Sequence, residues 1–250
     1  MRRFFTLSHS LLLINLRDPS TLFWSFAFPI GLISLYGAIW GHEQVGPVQA
    51  ITWLMVGIIV LNIMSGGFMG DSAWLTVVRE QGILLRVRTT PLPSGVLVSA
   101  YVVVRLVLVI IQSILIAAVA MLFFGAQLVW SGLAIAFVIA LLGAVVFIAL
   151  GQAIGTMSPT SGAAAAMGQA VYFPLMFVSN LFLPSDILPS WITEIARWTP
   201  AYMLVDLLRP ALVPVVEASQ SVWINLLGLL MYGVIGLVIA ALFFRWIPRR

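Results

Sequence analysis

Six stretches of this chain are each apolar for roughly 20 residues or more, long enough to cross a hydrocarbon layer about 30 Å thick. They cover about 21–40, 50–74, 96–124, 130–155, 163–183 and 221–247. Lipid offers no partner for backbone N–H and C=O groups, so each stretch must satisfy its own as a helix. The pattern predicts an all-α integral membrane protein, with 1–250 forming a single transmembrane domain of six spans. Charged residues make up only 8% of the chain, against about 25% in a soluble domain.

Arginine placement gives the direction. With the N-terminus inside, the cytoplasmic segments hold Arg2, Arg3, Arg17, Arg79, Arg86, Arg88, Arg245, Arg249 and Arg250, and the outer segments hold Arg197 and Arg209. Such an excess of basic residues sets orientation and puts both termini in the cytoplasm of a multi-pass inner-membrane protein. It also accounts for the net charge of +4 without nucleic acid. All nine Trp fall near span ends, where interfacial rings sit.

Two segments outside the spans carry apolar residues. In 1–19, Arg2, Thr6, His9 and Arg17 share one helical face, and Phe4, Leu7, Leu11 and Ile14 another. That pattern predicts a retained helix lying in the membrane surface. In 184–220, five prolines favour short helices broken by turns, and Trp191, Ile192, Ile195 and Trp198 give them an apolar side. These pieces are expected at the outer interface or dipping back into the bundle.

Catalytic chemistry has little to stand on. His9 and His42 are the only histidines, cysteine is absent, and the chain has no lysine, without which no P-loop can form. Neither metal nor nucleotide is expected on this chain. Intramembrane charge is the next feature to weigh. Asp71 lies eight residues before Arg79 and Arg105 ten after Gly95, which puts both at similar depth on antiparallel spans. They are expected to pair or face a polar cavity, or else to reach the inner interface separately. Asn62, Gln112, Gln152, Gln169, Asn180 and Asn225 line a pathway or bond between helices; Gly66-x-x-x-Gly70 and Gly151-x-x-x-Gly155 permit close helix approach.

The hairpin 79–95, REQGILLRVRTTPLPSG, gathers charge inside an apolar chain. Gly82 can open a short helix and Pro91 ends it, with Ile83, Leu84 and Val87 on one side and Arg86 and Thr90 on another. Such an apolar side buries itself on anionic lipid or on a cytoplasmic protein.

Here the residues resemble a family. Arg79-Glu80-x-Gly82, then Leu84, Arg86, Val87 and Thr90-Pro91-Leu92, is similar to the signature R-E-x-G-T-L-x-R-L-x-x-T-P-L of type-2 ABC exporter permeases, departing at Ile83 and Val87. Arg17-Asp18-Pro19 before Phe23-Trp24, Pro174 through Pro184 with Leu188-Pro189-x-Trp191, and Thr199-Pro200 with Tyr202 and Val205-Asp206-x-x-Arg209 also resemble the family, in its order. The resemblance implies a six-span subunit that pairs with a second copy or a paralogue in the bilayer. Two separate cytoplasmic ABC ATPase subunits bind ATP and Mg, so this chain is not itself an enzyme. The hairpin becomes the coupling helix, with Arg79, Glu80, Gly82, Leu84, Arg86, Arg88 and Pro91 as its coupling residues. The N-terminal helix becomes a second contact, and 184–220 an outer re-entrant segment. The implied function is ATP-driven export of a hydrophobic or amphipathic solute such as a drug, antibiotic or lipid; export of a lipid-linked polysaccharide is the alternative. Outside the family, the alternative is a stand-alone carrier or channel.

Overall fold

The computed structural model describes residues 2–41, 43–83, 94–182 and 188–244. Helix α1 (Arg2–Arg17) is followed by one helical turn, Pro19–Leu22, and then by α2 (Phe23–Trp40). A two-stranded hairpin, β1 (Gln44–Val45) against β2 (Val48–Gln49), turns at Gly46 with φ +60° and pairs Gln44 with Gln49. Then come α3 (Ala50–Glu80), α4 (Ser94–Phe124), α5 (Leu133–Met157) and α6 (Ser161–Val178). Two short helices, α7 (Ser190–Ala196) and α8 (Pro200–Leu212), precede α9 (Val222–Phe243). Six helices are long and apolar enough to cross a membrane. Below, the end where α3 turns back towards α4 is the hairpin end, and the opposite one is the far end.

Helix α3 is the axis of the bundle. Of its most apolar 18 residues 78% are buried, against 17% for α2, α6 and α9. Those outer helices turn residues such as Phe177, Leu227 and Val234 outward, as lipid-facing helices do. Missing side chains let neighbours approach α3 closely. A methyl group built on Gly67 would lie 2.3 Å from the Phe147 carbonyl oxygen, one on Gly151 2.0 Å from that of Gly67, and one on Gly168 1.9 Å from that of Phe68. Gly155 meets the Ser72 carbonyl similarly, whereas Gly66 and Gly70 meet the Arg105 side chain instead.

Several boundaries differ from the sequence reading. The helix of the second apolar stretch continues past 74 to Glu80, where the amphipathic SAWLTVVRE buries Leu75, Thr76, Val78 and Arg79. The Thr76 hydroxyl donates to the Gly155 carbonyl at 3.2 Å and Arg79 Nη2 to that of Ser158 at 2.5 Å, so helix and charge continue inward together. The fifth span starts earlier, where the Thr160 side chain accepts the Ala163 N–H at 3.1 Å, and ends at Val178 before Asn180 turns the chain at φ 58°. Gly82, with φ +68°, closes α3, a conformation that costs glycine little; Ile83 re-enters a helical state.

The 184–220 segment splits in two. Helix α7 exposes Trp191 and Ile195. Helix α8 starts at the Thr199 cap with Pro200 in its first turn and buries Pro200 through Arg209. Gly143 of α5 leaves room for Leu204, Gly132 for the Ala211 carbonyl and Gly228 of α9 for Met203. Pro210 falls inside α8.

Candidate functional site

The local sequence GGFMGD gives α3 its irregular middle. Gly66–Asp71 is wound as a π-helix, and the Ser72 N–H returns to the Gly67 carbonyl five residues back. A π-turn changes the backbone pairing and the direction of later side chains, and such turns are frequent at functional sites. Side chains answer the surrounding carbonyls: Ser72 Oγ donates to Phe68 O at 2.5 Å, and Gln152 Nε2 from α5 to Asp71 O at 3.3 Å. A second π-turn, Phe23–Ala27, opens α2 just before Pro29.

The first π-turn ends at Asp71, whose carboxylate is completely buried. Its Oδ1 accepts the Tyr101 hydroxyl at 2.5 Å and lies 2.9 Å from Arg105 Nε. Tyr101 stacks on Trp74, with ring centroids 3.6 Å apart and planes 14° apart. The remainder of the guanidinium spreads over the glycines. A methyl group at Gly66 would stand 2.4 Å from Arg105 Nη2, and one at Gly70 3.4 Å from it. No acceptor among the described residues takes a hydrogen bond from the Arg105 Nη groups.

This centre forms part of the wall of a cavity of about 790 Å³. Helices α3 and α4 supply a polar side through Asn62, Ser65, Arg105 and Gln112. Aromatic and apolar residues make up the rest of the lining, with Phe28 and Tyr36 on α2, Trp74 on α3, Tyr101 on α4, and Tyr172, Phe173 and Met176 on α6. Asn15 of α1 reaches the wall as well. Asp71 does not line the space; it stands behind Arg105.

The hairpin residues fall into two groups. Arg79 turns inward, 2% exposed, and anchors the Ser158 carbonyl at the end of α5. Glu80 Oε1 accepts the Ser161 N–H at 2.9 Å and its Oε2 the Ser161 hydroxyl at 2.8 Å, capping α6. Gly82 shapes the turn. Leu84, Arg86, Arg88 and Pro91 lie outside the described residues, as does His42.

Sequence reasoning missed a second buried centre, at the far end. Asp206 accepts Ser219 N–H (2.8 Å), Gln220 N–H (3.0 Å) and Asn225 Nδ2 (2.8 Å). Arg209 Nη2 donates to the Asn180 carbonyl at 2.8 Å, and its Cζ lies 3.4 Å from the centroid of the Trp53 ring. The available signal was the three-residue spacing, which puts both charges on one face of an otherwise apolar helix. Of the other polar span residues, Gln169 faces outward.

The arrangement offers binding. Among the described residues no group of three or more His, Asp or Glu could hold a metal ion. The cavity instead has the make-up of a small-molecule site, apolar with a few convergent polar groups. Comparison with known proteins agrees with transport. The profile of the ABC-2 type transporter family matches residues 2–213. A Bacillus subtilis (strain 168) protein named "Putative transport permease YvfS" is 24% identical over 227 residues, covering 87% of this chain and 86% of that one.

Proposed function

This chain belongs to the ABC-2 type transporter family, and we propose that it is the permease subunit of an ATP-driven exporter for a hydrophobic or amphipathic solute. The membrane subunit works with an ATP-binding subunit, and in this reading two such ATPases carry ATP and Mg on the cytoplasmic side. Two permease chains pair in the cytoplasmic membrane, each with both termini inside. Helix α1 lies at the inner interface, α7 rests at the outer interface, and α8 is re-entrant.

The observation that carries the solute class is the cavity of about 790 Å³, lined by aromatic and apolar residues with a few polar groups among them. Its size is that of a pocket for a single small molecule, which favours an amphiphile over a polymer. In this reading the hairpin 79–95 docks on the ATPase, and differential binding of ATP to the two states of that partner drives the conformational change. Arg79 and Glu80 act from behind by fixing the hairpin's base to α5 and α6.

Co-purification tests the reading. Arg86→Glu should abolish capture of the partner ATPase, and Glu80→Arg should weaken it, with membrane insertion unchanged. Normal capture by both variants would refute the docking role.

A further inference from the structure

We propose that the cavity selects solutes carrying an oxyanion head, a phosphate or carboxylate, which the Nη edge of Arg105 receives. The inference rests on reading this cavity as the permease's substrate recess.

Three observations converge on it. First, among the described residues no other Arg and no Asp or Glu lines the space. The counter-charge, Asp71, is wholly buried while the Arg105 side chain stays 13% exposed, so the face presented to a ligand is cationic. Second, Asp71 engages the guanidinium through Nε, and the Nη groups have no acceptor among the described residues. Tyr101 holds the same carboxylate oxygen, so the orientation of the fork is fixed before a ligand arrives. A guanidinium fork matches the oxygen spacing of carboxylate and phosphate, and charge-assisted bonds of this kind are the strong ones. Third, Gly66 is the residue that makes space for Nη2, since any side chain there would push it away. The aromatic lining of the same cavity, which includes Phe28 and Phe173, suits the apolar body of the same molecule.

A binding measurement on the full-length chain, in micelles of a neutral sugar detergent, tests this without ATP. Radiolabelled dodecyl phosphate, dodecanoate, dodecanol and dodecyltrimethylammonium share one tail and differ in the head. Saturable binding by scintillation proximity should favour at least one anion about tenfold or more over the neutral and cationic probes, as one charge-assisted contact implies. Tighter phosphate binding points to a phosphorylated lipid or its relatives, and tighter carboxylate binding to an acid. Arg105→Gln should erase the preference. Because that change strands Asp71, two further variants keep the test open: Asp71→Asn with Arg105→Gln, and Gly66→Ala, which retains the charge but displaces Nη2. Both should lower the preference several-fold.

Equal affinity for all heads, no saturable binding of any probe, or full preference in the folded double variant would overturn the proposal. ATP-dependent transport of a cationic or neutral amphiphile with no anion preference would do the same and leave the permease reading intact. Anion-selective binding by a chain that captures no ATPase would refute the permease reading and leave the anion site standing.

Discussion

Asp206 and Arg209 at the far end, and Asp71 and Arg105 nearer the hairpin end, are all charges withdrawn from water, but only Arg105 borders open space. The far centre is closed: Asp206 receives two backbone N–H groups and Asn225, and Arg209 is held between Trp53 and the Asn180 carbonyl. It ties α8 to the loop before α9 and to the top of α9 itself. The other centre ties α3 to α4 and leaves one edge of a cation unused. Burial of charge is thus common to both centres, and the vacant donor edge is what sets the Arg105 centre apart.

The largest effect should come from opening the closed centre. Asp206→Ala leaves the Ser219 and Gln220 N–H groups and Asn225 Nδ2 without their acceptor, and each buried donor stranded in this way costs about 1–3 kcal/mol. It should be seen as a large fall in melting temperature or failure to recover monodisperse protein. Next comes a pair of double variants. Asp71→Asn with Arg105→Gln should recover most of the stability lost by Arg105→Gln alone, to within about 1 kcal/mol, because neutral groups of similar size carry no charge to strand. Asp206→Asn with Arg209→Gln should not recover comparably, since each of those residues bonds mainly to other groups. Equal recovery at both ends would break the comparison.

Thr199→Ala removes the cap of α8 and should cost about 1 kcal/mol in thermal unfolding, without altering ligand preference. Gly66→Ala should change stability least, within about 0.5 kcal/mol, since the atom it displaces ends a flexible side chain. Its effect should fall on head-group selectivity. That split between stability and recognition sharpens the distinction between the two centres.

Most of the architecture was legible in the residues. Apolar length located the six membrane-crossing helices, and the depth argument put Asp71 and Arg105 level with one another. Helix ends were less legible where tertiary partners decide them: nothing local in SAWLTVVRE says that carbonyls of α5 will receive Thr76 and Arg79. The Gly66-x-x-x-Gly70 spacing looked like a helix-packing motif, yet Gly67 makes the helix contact and its two neighbours accommodate a guanidinium. The π-turn explains this, because winding with an added residue rotates which positions face a neighbour. The Asp206/Arg209 spacing pointed to the far centre, but its partners Asn225 and Asn180, like the Asp71–Tyr101 bond, were not legible because long-range contacts bring them together.

The anchorage at the base of the hairpin has a mechanical consequence. Arg79 grips the Ser158 carbonyl that caps α5 and Glu80 grips the first turn of α6, so three helix ends meet in one stiff joint. A pull on residues 81–83 cannot bend α3 alone; it loads α6 in the same stroke. Since α3 and α6 both line the recess, in the docking proposed above a single lever arm works both jaws of the vice.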